Sequence, residues 1–211
     1  MYWYHWTTIL ALSICLSVLF WHFIRLIRLG KPKDYSRKSG SATKGIVYSS
    51  TKAMVDHKES AYLHIPTYFA GMVYHIGTFV SLFLYVFFLL NILIQIALPQ
   101  WLVWIIAAGL LVSSFCGFSL FMKRLLLKSM RSLSNPDDYL SNLLVSLFQL
   151  FTLLNLLYSS SIEPVYYIIA SLMLLYMTVG KLKHVVYFFA ARYHLGFFYG
   201  WRNVWPPHKT K

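Results

Sequence analysis

The fold class is decided by the stretch GMVYHIGTFVSLFLYVFFLLNILIQIALPQWLVWIIAAGLLVSSFCGFSLFM, residues 71–122. It lies within a longer interval, from Ser60 to Met122, that holds no charged side chain. A helix needs about 20 apolar residues to cross a hydrocarbon core of about 30 Å, so this interval can supply two such helices and a tight turn. The stretch therefore predicts a pair of membrane-spanning helices.

The whole chain follows the same pattern. It has 211 residues, of which 58% are hydrophobic. We predict an all-α integral membrane protein, a five-transmembrane-helix bundle forming a single domain over residues 1–211. The predicted spans are about 2–24, 67–98, 101–122, 140–158 and 165–190. One sizeable extramembrane segment is expected, the basic loop 30–63, with an irregular first half and a short helix in its second half.

The distribution of Lys and Arg predicts the orientation. With five spans, all 19 basic residues fall on one side, and the connections IALPQ and SSSIEP on the other side carry only Glu163. Cytoplasmic segments are enriched in Lys and Arg, which places the N-terminus outside and the C-terminus in the cytoplasm. We expect a multi-pass protein of the cell (inner) membrane. Topology and anionic lipid headgroups account for the net charge of +13, so no nucleic-acid partner is expected.

Two histidines interrupt the apolar spans. The second span runs outward, and His75 lies about 23 residues before its outer end. The fifth span runs inward from its outer end at Pro164, and His184 follows that end by about 20 residues. At about 1.5 Å per residue, both lie about 30 Å from the outer surface. Imidazoles at one level on two helices can ligate a haem iron from both faces, and the glycines at positions 71, 77 and 180 would admit a porphyrin. The alternative is that each histidine only hydrogen-bonds between helices.

Three segments carry a family resemblance. They are YHIGTF at 74–79, FMKRLLLKSMRS at 121–132 and GKLKH at 180–184. With five spans and an outside N-terminus, the chain resembles, over nearly its whole length, the gamma subunit of respiratory nitrate reductase. Its relatives include the membrane cytochrome of heterodisulfide reductase and that of dissimilatory sulfite-reduction complexes. The first and third segments look like the haem-ligand segments of that family.

The resemblance implies a membrane cytochrome b subunit. Such a subunit carries electrons between the quinone pool and a cytoplasmic iron–sulfur subunit, and catalysis at the terminal substrate belongs to other subunits. His75 and His184 would be the axial ligands of a haem b. Typical members hold a second haem nearer the outer face, but Tyr85, Tyr166 and Tyr167 stand where its histidines would be. One haem is therefore expected, with two left open.

A second histidine pair keeps that question open. His64 precedes His75 by eleven residues and His194 follows His184 by ten, so these two would also match in level, about 15 Å closer to the cytoplasm. They are either ligands of a second haem or interfacial residues around the first. Arg124 and Lys181 are candidate contacts of the haem propionates, or else anchors that extend to the headgroups.

The remaining features favour simpler roles. His22 is level with the first pair and is interpreted as an interface residue, and His5 belongs to an outer aromatic belt, MYWYHW. Cys15 and Cys116 form no CxxC, so a protein-ligated iron–sulfur cluster is excluded. No phosphate-binding glycine loop, HExxH or GxSxG occurs. The alternative function is a haem-free membrane anchor or assembly subunit that recruits a soluble partner.

Overall fold

Helices make up all the regular structure of the described residues. The computed structural model describes residues 1–29, 35–56 and 64–207. The helices are α1 Trp3–Leu29, α2 Ala42–Ser50, α3 Ala53–Asp56, α4 Ile65–Ile94, α5 Gln100–Leu126, α6 Lys128–Ser132, α7 Pro136–Leu157, α8 Ser159–Val179 and α9 His184–Trp201. The all-α class predicted from the sequence is confirmed.

Five of these helices are long and apolar enough to cross a membrane: α1, α4, α5, α7 and α8. They match the predicted spans in number and order, and the chain is a multi-pass membrane protein. A capping box formed by Asn135 and Asp138 defines the start of α7. Asn135 accepts from the Asp138 N–H at 3.0 Å, while the Asp138 carboxylate accepts from the Asn135 N–H at 3.0 Å. This reciprocal capping box satisfies two N–H groups that the helix leaves unpaired.

The fifth predicted span, 165–190, is wrong at its second end. α8 ends at Val179, Gly180 is extended, and one 3₁₀ turn over Lys181–Lys183 precedes α9. At this turn the Lys181 N–H donates to the Asp137 carboxylate at 3.1 Å, and the Lys181 ammonium lies 2.5 Å from Asp138 Oδ1. His184 therefore begins a separate helix, and its depth no longer follows from helical rise beyond position 164.

The described residues form two compact units. The first contains Met1–Cys15 and His64–Leu182, and the second contains the described parts of Leu16–Leu63 and Lys183–Lys211. Helix α1 is continuous and contributes its first half to one unit and its second half to the other. A single domain for the whole chain stays a prediction, so each unit is described by itself.

The first unit packs α4, α5, α7 and α8 against one another. Its apolar core is centred on Leu84, Ala107, Leu110 and Leu153. Small residues allow close approach elsewhere, as expected where helices in lipid pack by shape. Gly117 of α5, for example, is so close to the Tyr74 ring that an added Cβ would lie 2.4 Å from it.

The second unit is built on α2 and α9. Gly45 of α2 meets Gly196 and Gly200 of α9 so closely that an added Cβ would lie 2.3 Å from the Gly196 carbonyl oxygen. The N–H groups of Ser39 and Gly40 donate to the Trp201 carbonyl at 3.0 Å and continue this contact. Helix thus begins earlier in the loop 30–63 than predicted; residues 30–34 and 57–63 lie outside the described residues.

Candidate functional site

The imidazole of His75 is exposed on α4, beside the buried Tyr74. Its Nδ1 lies 2.8 Å from the Gly71 carbonyl oxygen. Because a carbonyl oxygen only accepts, Nδ1 carries the proton and donates, and Nε2 keeps its lone pair. No hydrogen bond from the described residues reaches Nε2. Metal-ligating histidines are oriented in this way, with the other ring nitrogen bonded to a carbonyl or carboxylate.

The three glycines proposed to admit a porphyrin differ in the space around them. An added Cβ on Gly71, one turn from His75, would meet nothing within 4 Å. The expectation is wrong for the other two. A Cβ on Gly77 would meet the Ser113 side chain, and one on Gly180 would meet the Tyr176 ring. The open surface at Gly71 and the open Nε2 of His75 together fit one side of a haem b.

We expect Gly71→Leu to lower the haem content of the purified protein severalfold, because the new side chain would occupy the surface on which the porphyrin is proposed to lie. Gly109→Leu is the matched control, since Gly109 of α5 is also open to an added Cβ. The measurement is haem per chain, with helical content checked by circular dichroism. Full haem content in both variants would place the porphyrin elsewhere.

Buried polar side chains hold the segment of α4 that carries His75. The Gln149 amide of α7 donates to the Tyr74 carbonyl at 2.9 Å and to the Thr78 hydroxyl at 2.7 Å. Its oxygen accepts from the Ser113 hydroxyl of α5 at 2.7 Å. These contacts tie α4, α5 and α7 together at the turn of α4 that carries His75. This cluster was not predicted from the sequence, although Gln149 stands out in the largely apolar α7.

We expect Gln149→Leu to destabilise the protein by about 1–2 kcal/mol, because three buried hydrogen bonds disappear and their partners are left unpaired. The control is Gln100→Leu, which makes the same change at an exposed position at the start of α5. Denaturant unfolding in detergent micelles measures the difference. Equal stability of the two variants would show that water or lipid replaces the lost bonds at no cost.

His184 is the first residue of α9 and its side chain is exposed. It belongs to the second unit, whereas His75 belongs to the first. The ligation of one haem iron by both residues stays a prediction.

The two histidines of the proposed second pair differ from His75 in their position and hydrogen bonds. His64 is exposed at the N-cap position of α4 and makes no capping hydrogen bond there. His194 of α9 is half-buried, and its Nε2 lies 3.1 Å from the Leu26 carbonyl oxygen. That nitrogen must carry a proton to donate, so in this arrangement Nε2 of His194 holds α9 to α1 and has no lone pair for iron. A second haem at this pair stays a prediction.

Arg124 and Lys181, the candidate propionate contacts, share one carboxylate. The Asp138 Oδ1 lies 3.1 Å from the Arg124 guanidinium and 2.5 Å from the Lys181 ammonium. The Asp138 side chain is 11% exposed. These contacts join the end of α5, the start of α7 and the 3₁₀ turn that follows α8. The two cations therefore have a structural role already, and contact with propionates stays a prediction.

Replacing Asp138 with alanine is expected to cost about 1–2 kcal/mol, since it removes the carboxylate from both the ion triad and the capping box. Asp138→Asn separates the two effects: its amide oxygen can still cap the helix, and only the charge is lost. Unfolding midpoints in detergent, with and without added salt, test this. Equal losses in the two variants would assign the effect to charge alone.

A second polar cluster lies at the opposite end of the first unit. His5 is 3% exposed. Its Nδ1 accepts the Tyr2 N–H at 2.9 Å, so Nε2 carries the proton and donates to Glu163 at 2.9 Å. The Tyr4 hydroxyl donates to the other Glu163 oxygen at 3.2 Å. The contact is therefore made by a neutral imidazole, and the carboxylate receives donors from α1.

His5 was predicted to belong to an outer aromatic belt, but its side chain is buried. The missed signal was the spacing of the buried face of α1, which is formed by Tyr4, Thr8, Ala11 and Cys15. Residues spaced by three or four lie on one face of a helix. Glu163, the one acid of the two connections, lies where this face can reach it.

Comparison with known proteins gave no further identification. No protein-family model, curated protein or solved structure matches the chain.

Proposed function

We propose that the protein is a membrane cytochrome b subunit of the cell (inner) membrane. It transfers electrons between the quinone pool and a cytoplasmic iron–sulfur subunit through one b haem, with His75 and His184 as axial ligands. His75 and His184 would hold the haem, which would supply one-electron chemistry when bound. The resemblance in the three sequence segments supports the class, and the geometry of His75 supports the site.

The exposed Nε2 of His75 carries this proposal. His75 lies about 15 Å along the 30-residue helix α4, by helical rise, and about 30 Å from its outer end, which puts it near the cytoplasmic boundary of a hydrocarbon core of about 30 Å. A polar atom facing lipid without a partner is unfavourable, and ionisable residues at this depth are usually functional. An iron bound to Nε2 would satisfy the lone pair. The Gly71 carbonyl then fixes the tautomer and the ring orientation.

The polar cluster around Gln149 has a supporting role in this proposal. It anchors the backbone at Tyr74 and Thr78, on either side of His75. A rigid support of this kind would hold the His75 imidazole in one position, so the protein around the haem would rearrange little on electron transfer. The side of the protein predicted to carry the Lys and Arg residues would face the iron–sulfur partner. Electrostatic attraction would then speed docking to an acidic surface of that partner.

The test is a reduced-minus-oxidised visible spectrum of the purified full-length protein, with haem quantified per chain. One b-type haem per chain supports the proposal, and two would promote His64 and His194 to ligands. Rapid haem reduction by a quinol, or oxidation by a quinone, would support the electron-transfer role. Folded protein expressed with ample haem supply but containing none would contradict it.

The alternative, a haem-free anchor or assembly subunit, is favoured by one observation. The second unit has its own close packing of α2 on α9 and exposes Lys38, Lys44 and Lys52. Such a surface could recruit an acidic soluble partner without any cofactor. This alternative predicts that His75 and His184 can be replaced without loss of partner binding or of any cofactor.

A further inference from the structure

A cavity opens at the end of the first unit that holds Glu163. Its volume is about 350 Å³, and α4, α5, α7 and α8 all contribute to its wall. Phe87, Phe88 and Val103 form part of an apolar wall, and Asn155, Glu163 and Tyr167 supply polar groups. Ligand sites in proteins typically combine an apolar wall with a few convergent polar groups.

The amide oxygen of Asn155 has no hydrogen-bond partner among the described residues. Asn155 is 5% exposed and lines the cavity. A buried polar group without a partner is costly, and native structures rarely keep one without a reason. A group that enters the cavity from outside the chain and donates a hydrogen bond would satisfy it.

Glu163 gives the cavity its charge. Its side chain is 29% exposed and is bonded to His5 and Tyr4, which each donate one hydrogen bond. A carboxylate has about four lone-pair positions, so acceptor capacity remains. Because His5 is neutral in this arrangement, the carboxylate charge is not cancelled. No Lys, Arg or His is among the described residues that line the cavity. An anionic ligand would therefore be disfavoured, and a hydrogen-bond donor favoured.

We propose that this cavity binds the head of an amphipathic ligand that donates hydrogen bonds to Glu163 and Asn155, with its apolar part against the wall formed by α4 and α5. Two membrane molecules share this chemistry: a hydroquinone, through its two hydroxyls, and an ethanolamine lipid, through its ammonium group. The hydroquinone would deepen the proposed function and rests on it. The ethanolamine lipid would be independent of it.

Binding of a short-chain naphthohydroquinone to the full-length protein in nanodiscs, under anaerobic conditions, tests the first source. The control ligand is the corresponding quinone, whose carbonyls only accept. We expect the reduced form to bind at least tenfold more tightly. For the second source, nanodiscs with ethanolamine headgroups should raise the unfolding midpoint relative to choline headgroups.

Two cavity variants identify the site. Glu163→Gln removes the charge but keeps an acceptor for His5. It should weaken binding at least tenfold for whichever of the two probes binds the unmodified protein. Asn155→Leu has a similar size and lacks the unpaired amide, so it should lose binding while its unfolding midpoint stays equal or rises. Tyr158→Phe, at an exposed position between α7 and α8, is the control.

Each outcome of these experiments either supports or overturns the proposal. A response to either probe that both cavity variants abolish supports the proposal and names the source. No response to either probe, or one that the cavity variants leave unchanged, overturns it and leaves the cavity to water. Because His75→Ala should leave probe binding intact, loss of the haem and loss of the cavity ligand can be told apart.

Discussion

Replacing His75 with alanine is expected to remove the b-haem spectrum of the purified protein and to abolish its haem-dependent electron transfer. The variant loses the proposed iron–imidazole bond and one hydrogen bond to its own helix. Since the side chain is exposed, the free energy of unfolding of the apoprotein should change by about 0.5 kcal/mol or less. A reduced-minus-oxidised spectrum and haem quantification measure the loss of haem. Unfolding followed by circular dichroism on the same preparation measures the change in stability.

Other histidine variants make this result specific. His184→Ala should lose the haem to the same extent, because a bis-histidine haem needs both ligands. His22→Ala is the matched control and should keep it. Loss of haem in His22→Ala but not in His75→Ala would move the ligand to α1. Loss of half the haem in His64→Ala and in His194→Ala would establish a second site. Full haem in every variant would contradict histidine ligation at these positions.

The membrane spans could be predicted because hydrocarbon imposes a simple requirement. A crossing helix must be long and apolar, and this requirement is visible in composition without any knowledge of contacts. The break after α8 could not be predicted in the same way. Helix α9 is apolar enough to extend a span, and the break coincides with contacts of Lys181 with α7 that the sequence does not show.

The candidate site shows the same division. His75 was visible in the sequence because an imidazole in an apolar run is unusual. Its hydrogen bond to Gly71 follows helical geometry, whereas the role of Gln149 depends on how α7 packs against α4. The contact between His5 and Glu163 joins residues 158 positions apart. Contacts at such separations are set by tertiary packing, on which the spacing of residues along one helix gives no information.

Gly45→Ala is expected to open the contact between α2 and α9. The added Cβ would lie 2.3 Å from the Gly196 carbonyl oxygen and 2.5 Å from the Gly200 Cα. Both neighbours are backbone atoms, so they cannot turn aside as a flexible side chain would, and the helices must separate. We expect a cost of about 3 kcal/mol, at the upper end of overpacking effects. Hydrogen exchange at the amides of residues 42–50 should accelerate about 100-fold, since 1.4 kcal/mol corresponds to a factor of ten.

The control for this variant is Gly109→Ala, which makes the same change within α5 where nothing lies within 4 Å of the new Cβ. That substitution should stabilise the helix by up to about 1 kcal/mol, because alanine is the better helix former. The two substitutions are expected to change stability in opposite directions, whereas a general effect of replacing glycine would have the same sign at both positions. If exchange in α2 stayed unchanged in Gly45→Ala, the second unit would not be held together by this glycine contact. The exposed Lys38, Lys44 and Lys52 would then have no fixed arrangement with which to receive a soluble partner.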